Sequence, residues 1–465
     1  MSEKKMGKVK RGYGMNELPS VPELLAFGLQ HALIFMFSTL PAPLLIAGGL
    51  GLGTVETALL VACSLFVCGV CTIIQSFGVG PLGARIPMGF VGSFVFISPA
   101  ILIVPQFGFG GYMGACMVAA IVCGIAFGLF ADWLKVVFPP FVSGAVLMVL
   151  GTSLIGNAIA NAAGGSGAAD FGDPMNLALA GITFLVTLVL AVVGKGFVQG
   201  AAPLLGMVVG FVICACLGMV DFAAVGEAAW IAVPEPLHWG LSFPIEACII
   251  MTVIAICGVV EILGTTSATM SVAENRIATV KETRDTVVAQ AVTSVFAGFF
   301  NVVPSISSSA NIGLMGVTRV YSRFAVTAAG AILLLMGLCP KLSTLFSVIP
   351  NPVFGGAVLM MFGTILCSGM KIIMESELTD RTQTILAVSL AVGIGFNATA
   401  GALDAFPFWV STLLCGVPGT AVFGVLLNLL LPGRNLKKAA PAASSGAADG
   451  PSDERAEGDL EGARD

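Results

Sequence analysis

Apolar runs of about 20 residues recur along this chain, and each is long enough to cross the hydrocarbon core of a bilayer as a helix. They lie near residues 24–45, 55–76, 86–104, 112–132, 140–160, 176–194, 201–220, 244–265, 286–303, 305–318, 324–346, 351–372, 383–399 and 405–431. In lipid, each run must satisfy its own backbone polar groups, which it does as a helix. The composition agrees: 57% of the residues are hydrophobic, 10% are charged, and the mean hydropathy is +0.99. An ordinary soluble domain carries roughly 25% charged residues. Too little polar surface is available here to cover a core of this size, which excludes a soluble enzyme and a disordered chain. Glycine supplies 58 of the 465 residues, and small residues let helices approach closely and tolerate broken backbone. The expected fold class is an all-α polytopic membrane protein of about 14 transmembrane segments.

Two of the runs differ from the rest. RIPMGFVGSFVFISP in the third and PSISSSANIGLMG in the tenth are short, rich in Ser and Gly, and flanked by Pro. Counted as two sets of seven, both stand third. Paired, interrupted segments at matching places in two halves point to an inverted repeat with a binding site at the midplane. An odd number of spans per half gives the halves opposite orientations. In GSFVF, Phe94, Val95 and Phe96 suggest a short extended strand, and SISSSA suggests its partner. Extended backbone at that depth must be paired inside protein.

Loop charge orients the bundle. With the basic N-terminus MSEKKMGKVKRGYG in the cytoplasm, Arg85, Lys135, Lys195, Arg276, Lys281, Arg284, Arg319, Arg323, Lys371 and Arg381 fall on the cytoplasmic side, with Lys341 outside. This follows the positive-inside rule and places both termini in the cytoplasm of a protein in the cell membrane. Residues 1–20 read as a cytoplasmic N-terminal segment. Residues 433–465 are low-complexity, polar and acidic, and read as a disordered cytoplasmic tail.

Few residues can carry chemistry inside the bilayer. Glu261 in VVEILG follows a long apolar run. A carboxylate there is costly unless paired or protonated, so it is a candidate for ligand contact and for carrying a proton. Ionised, it accepts N–H donors in bidentate fashion. The SISSSA run with Asn311 and Gly313 forms a polar patch at a helix start, where free N–H groups and the helix dipole can hold a polar ligand. Its plain alternative is interhelical hydrogen bonding. Gln30 and His31 lie in the first span, where a His serves either a proton relay or a structural bond. Phe94 can stack on a flat ligand or simply fill the core. The 12 cysteines lie mostly in apolar runs, and the chain has only two histidines. No metal or cofactor site is expected, and no catalytic motif of an enzyme is present.

At these residues the chain resembles the nucleobase–ascorbate transporter family, also called nucleobase:cation symporter-2. ANIGLMGVTR (310–319) follows the family signature at Asn311, Gly313, Thr318 and Arg319. GLQHAL, RIPMGFVGSFVFISP, FPPFVSGAVLMVLG and VVEILG occur in the family's order, and NIGLMGVTRVYSR is especially similar to bacterial uracil permease. The resemblance covers about residues 20–432. It implies a core domain (21–138 with spans 1–4, 241–348 with spans 8–11) and a gate domain (139–240 with spans 5–7, 349–432 with spans 12–14). It implies proton-coupled uptake of xanthine, uracil or urate, with sodium as the other coupling ion, and a homodimer. It implies that Glu261 accepts the N–H groups of the base, that Phe94 and Ser38 lie beside it, and that Ser309, Ala310 and Asn311 line the span-10 side. The sequence departs from the family at three places. Ala310 replaces a Gln, Glu or Pro, Thr265 stands where Asp or His is common, and Gln290 stands where many xanthine transporters carry Asp. The other reading is an anion transporter of the sulfate-permease type on the same fold; the acidic site candidate speaks against it.

Overall fold

Seven elements build the first half of the chain up to its fifth span in the computed structural model, which describes residues 12–137, 139–195, 197–399 and 401–432. Helix α1 (Val21–Thr39) runs into α2 (Pro41–Leu50), and α3 (Thr54–Phe77) follows. Strand β1 (Phe90–Gly92) and a 3-10 turn (Phe94–Phe96) lead into α4 (Ile97–Val137), then α5 (Pro140–Ala162). Proline stands in the first turn of α1, α2 and α5, where its missing N–H has no helical partner anyway. After α6 (Pro174–Val193), the short α7 (Phe197–Gly200), α8 (Ala202–Cys216) and α9 (Ala223–Glu227), the pattern starts again. Helices α10 (Ile245–Glu274) and α11 (Val280–Phe299) precede strand β2 (Ser305–Ser307) and α12 (Ser309–Thr318). Then come α13 (Arg323–Gly337), α14 (Pro340–Ser347), α15 (Asn351–Met374), α16 (Asp380–Ala398), α17 (Phe408–Leu414) and α18 (Gly416–Leu430). The expected tail, 433–465, lies outside the described residues.

The two halves form an inverted repeat. Its mark in the sequence is plainest where α5 reads SGAVLMVLGT (143–152) and α15 reads GGAVLMMFGT (355–364). Strands β1 and β2 pair antiparallel, with Phe90 opposite Ser307, Val91 opposite Ile306 and Gly92 opposite Ser305. The repeat's twofold relation therefore passes between Val91 and Ile306.

Two expectations shift. The strand of the third span lies at Phe90–Gly92, ahead of the GSFVF stretch, and Phe94–Phe96 are helical. A helix start displaces the extended backbone there because β2 is only three residues long and gives Phe94 nothing to pair with. The third and fourth runs are also not separated by a loop. Helix α4 runs on through Pro105 and through Gly108, whose φ of +70° only glycine adopts freely. Seven helices among the described residues are long and apolar enough to cross a membrane, or up to nine if each bent pair is one span. The remaining segments include short half-helices such as α12.

Packing divides the helices into two groups. In the first, α3 lies along α13, α1 also packs on α13, and α4 lies against α10 and α11, with the strand pair among them. In the second, α5 lies along α15, α6 packs on α8 and α15, and α16 packs on α18. Glycine permits the closest approaches. A Cβ on Gly69 of α3 would stand 2.6 Å from the Gly330 carbonyl oxygen, and one on Gly144 of α5 would stand 2.8 Å from that of Gly369. The connector from α8 to α10 is fastened to the first group. Lys341 Nζ donates to the Val225 and Gly226 carbonyls at 3.1 and 3.0 Å. Further on, Leu237 N–H donates to the Phe299 carbonyl at 2.7 Å, and Trp239 stacks on Phe109 at 4.5 Å.

Candidate functional site

A strand pair of three residues each cannot satisfy its outer edges alone, and neighbouring helices do it instead. On the β1 edge, Thr72 Oγ1 of α3 accepts the Phe90 N–H at 3.1 Å and also donates to its carbonyl at 3.3 Å. Cys68, one turn earlier, donates to that carbonyl at 2.8 Å and accepts from Thr39 Oγ1 at 3.3 Å. On the β2 edge, Ser294 Oγ of α11 accepts the Ser305 N–H at 3.1 Å, and Gln290 Nε2 donates to the Ser305 carbonyl at 3.1 Å. Thr293 shares a hydrogen bond of 2.8 Å with the Ser305 hydroxyl. Gln75 of α3 donates to Thr286 of α11 at 3.1 Å and ties the two supporting helices together.

Each strand then turns into a helix that starts inside the protein. Ser93 N–H donates to the Pro304 carbonyl at 3.0 Å, and Ser308 N–H donates to the Gly89 carbonyl at 2.9 Å. Both serines are N-caps, yet neither side chain makes the cap bond, and both hydroxyl oxygens are buried with no partner among the described residues. Serine at this position normally accepts from the first-turn N–H groups. Leaving that bond unmade leaves the positive ends of both helices uncapped by their own side chains. The Tyr112 hydroxyl donates to the Phe96 carbonyl at 2.8 Å and fixes the first of these starts.

Between the two helix groups lies a cavity of about 1130 Å³. The first group contributes Ser38, Val91, Gly92, Phe94 and Val95, then Glu261, Thr265 and the run Ile306–Ala310. The second group contributes α5, from Pro140 to Leu150, and α15, from Met361 to Ile372, with Asn428 of α18. The cavity reaches the first turn of α5 and the last turns of α15 and α18. Phe94 meets the fully buried Phe362 of α15 edge to face at 6.0 Å, a contact that joins the two groups.

Of the residues singled out in the sequence, Glu261, Phe94, Ser38, Ser309, Ala310 and Thr265 line this cavity together. The Glu261 carboxylate has no hydrogen-bond or ion-pair partner among the described residues. Thr265, one turn on, bonds to the Glu261 carbonyl at 3.1 Å and to the Ser307 hydroxyl, which joins α10 to β2. Asn311 stands behind the wall. Its Oδ1 lies 2.6 Å from His31 Nδ1, and its Nδ2 donates to the Pro87 carbonyl at 2.9 Å. An amide oxygen only accepts, so His31 Nδ1 carries the proton and donates. Both side chains are buried and neither borders the cavity. Gln290 supports β2 as described, and Gln30 is half-buried off the cavity. Gly313 is exposed on α12, and Thr318 Oγ1 donates to the Leu314 carbonyl at 2.9 Å.

Sequence reading passed over Thr72, Cys68, Ser294 and Phe362. A polar pair four residues apart inside the apolar α3, and Gln290, Thr293 and Ser294 inside α11, were the available signals; Phe362 had none. Compared with known proteins, residues 22–400 match the Xan_ur_permease model, described as Permease family. The chain is 32% identical to the uric acid permease PucK of Bacillus subtilis, over 83% of this chain and 89% of that one. It is 31% identical to the uric acid transporter UacT of Escherichia coli, over 90% and 88%, and 30% identical to its xanthine permease XanP, over 90% and 94%. Among solved structures, the transmembrane domain of the cyanobacterial bicarbonate transporter BicA superposes with a TM-score of 0.54 at 16% identity, covering 90% of this chain and 99% of that one. Murine Slc26a9 in the inward-facing state gives 0.59 at 15% identity, covering 91% and 69%. At such identities the structures speak for a shared fold.

Proposed function

Because the chain belongs to the nucleobase–ascorbate transporter family of permeases, we propose that it imports an oxo-purine or pyrimidine base by proton symport. The observation that carries this reading is Glu261: a carboxylate without a partner among the described residues, lining a large cavity whose wall also holds two uncapped helix starts and the Phe94 ring. A base of the xanthine, uracil or urate class presents ring N–H groups next to carbonyl oxygens. The N–H groups donate to Glu261, the carbonyls accept from helix-start N–H groups, and the ring lies against Phe94.

Glu261 also carries the coupling proton. A carboxyl in a water-poor span is stable when protonated or when a ligand's donors satisfy it, so proton and base bind as a linked pair. His31 keeps Asn311 in place behind the site. The core (21–138 and 241–348) holds the base while the gate (139–240 and 349–432) moves against it. With both termini placed in the cytoplasm, the end of the cavity at α5, α15 and α18 lies on the cytoplasmic side. Every polar group we assign to the site suits a ring that presents N–H donors. An inorganic anion such as sulfate has no N–H to give the Glu261 carboxylate, so the sulfate-permease reading has no support here.

The test is uptake of radiolabelled xanthine, uracil and urate by a transport-deficient host. We expect saturable uptake of at least one base, falling as external pH rises and unaffected by replacing sodium with choline. Dependence on sodium would overturn the proton assignment. Absence of uptake for all three, or a Glu261→Gln variant that transports like wild type, would overturn the reading itself.

A further inference from the structure

Phe90 and Ser305 are equivalent residues of the two repeats, since the twofold relation passes between Val91 and Ile306. Each faces away from its partner strand at the point where the sheet ends. Each backbone N–H there is accepted by a buried hydroxyl from a supporting helix: Thr72 Oγ1 for Phe90 and Ser294 Oγ for Ser305, both at 3.1 Å. Each carbonyl is met by a second donor, Cys68 at 2.8 Å and Gln290 at 3.1 Å. The repeat has thus kept one device twice with different side chains. None of Thr72, Cys68 and Ser294 borders the cavity.

Strand edges with unpaired polar groups are tolerated at this depth only where protein satisfies them. These edges are also the foundations of the binding surface. Four residues beyond Phe90 stands Phe94, and four beyond Ser305 stands Ser309, both on the cavity wall. The pairing is short: beyond the three facing residues, only the Ser93–Pro304 and Ser308–Gly89 backbone bonds extend it, and a shift by one residue would turn every side chain to the opposite face. We infer that Thr72 and Ser294 are positioning residues for the transported base: without touching it, they hold the two strands so that both helix starts keep their aim at the cavity. The inference rests on the transport reading given above.

Thr72→Val keeps the side chain's shape and removes both hydrogen bonds; Thr72→Ser restores them. Ser294→Ala and Ser294→Thr form the matching pair. We expect Thr72→Val to raise the KM for uptake about tenfold, the change equivalent to one hydrogen bond. Maximal rate per molecule at the membrane stays within about twofold, because chemistry at Glu261 and the moving surfaces are untouched. Thr72→Ser returns KM to the wild-type value. Hydrogen exchange of the peptide holding Phe90, measured on protein without substrate, rises by about tenfold in Thr72→Val and not in Thr72→Ser.

An unchanged KM in both Thr72→Val and Ser294→Ala overturns the inference. So does a loss of rate and protein level at constant KM, which would mark a purely structural role, and so does a Thr72→Ser variant as damaged as Thr72→Val. Should Thr72→Val not fold, Ser294→Ala and Ser294→Thr decide the matter with the same readouts. If wild-type protein takes up none of the bases, the transport reading falls. Exchange at Phe90 then still decides whether Thr72 holds the strand, and unchanged exchange overturns the inference there too.

Discussion

Strands β1 and β2 reach the cavity with the same backbone and opposite side chains. Each is paired over three residues, supported at its outer edge by a helix, and continued into an uncapped helix start at a serine. Toward the cavity, β1 and its helix start present Val91, Gly92, Phe94 and Val95, with the Ser93 cap behind them. β2 and its helix start present Ile306, Ser307, Ser308, Ser309 and Ala310, with Thr265 and Glu261 of α10 also on the wall. One half thus offers an apolar ring surface and the other offers hydroxyls and a charge. The repeat supplies symmetric backbone donors, and the different side chains of its halves supply an asymmetry that suits the proposed ligand, a base flat on its faces and polar at its rim. The apolar half should govern how tightly any base binds, and the polar half should govern which base binds.

The strongest way to break this contrast is at Glu261. Glu261→Gln keeps the size but changes one acceptor oxygen to a donor and fixes the charge at zero. We expect uptake to fall by about a hundredfold or more, since hydrogen bonds to charged groups are the strongest in the site. Thermal stability of the purified protein should remain at the wild-type value, because the carboxylate has no protein partner to lose. A variant with full uptake would place the polar chemistry elsewhere.

Phe94→Ala tests the other half. Losing the ring removes a stacking surface and the edge-to-face contact with Phe362, so KM should rise about tenfold. The diagnostic result is uniformity: competition constants for xanthine, uracil and urate should move together. A change in their ranking would show that β1 contributes to selectivity. Ala310→Gln is the complementary experiment. It adds an amide to the polar half at a position where this chain has only a methyl group, and it should re-rank the three bases by up to about tenfold. Equal changes for all of them would erase the division of labour.

A smaller difference separates the helices behind the strands. At the aqueous start of α11, Thr279 and Glu282 form a capping box, and Arg276 binds the Glu282 carboxylate at 2.6 and 2.9 Å. The N-cap of α3 is Gly53, which has no side chain to offer. The hydrogen bonds from Arg276 hold the Glu282 carboxyl well below the usual carboxylate range, at about 2. A lowered native pKa stabilises the folded state fully above the ordinary value of 4.5, and that contribution is lost as pH falls toward about 2. Glu282→Gln should therefore flatten the decline in melting temperature across this window by a small amount, as the pair is partly open to solvent. An unchanged melting profile would mean that α11 gains nothing from its cap that α3 lacks.

Much of this site could be read from the residues in order. The broken spans announced themselves because Ser, Gly and Pro are out of place in an apolar helix, and Glu261 stood out because a charge in such a run needs a reason. What escaped was set by contacts between distant segments. Thr72 looks like any helix threonine, whose usual partner is the carbonyl one turn back; its true partner is 18 residues on. Asn311 carries the family signature and looks like a ligand contact, yet His31 and Pro87 use both ends of its amide. The strand came several residues early because alternation in GSFVF cannot reveal how long the partner strand is. The step through Gly108 was equally hidden, since Pro and Gly together usually signal a loop.

The fastening of the α8–α10 connector sets a mechanical limit. From Val225 onward that connector is bound to the first helix group, so any travel of the second group must be taken up by residues 217–224. Each residue can extend by no more than about 3.5 Å, and Gly218, with φ of +71°, supplies the one left-handed joint in the stretch. This is a leash of fixed length with a swivel at its origin. If the second group moves against the first as proposed, this leash caps its stroke, and shortening it should stall transport with the binding site intact.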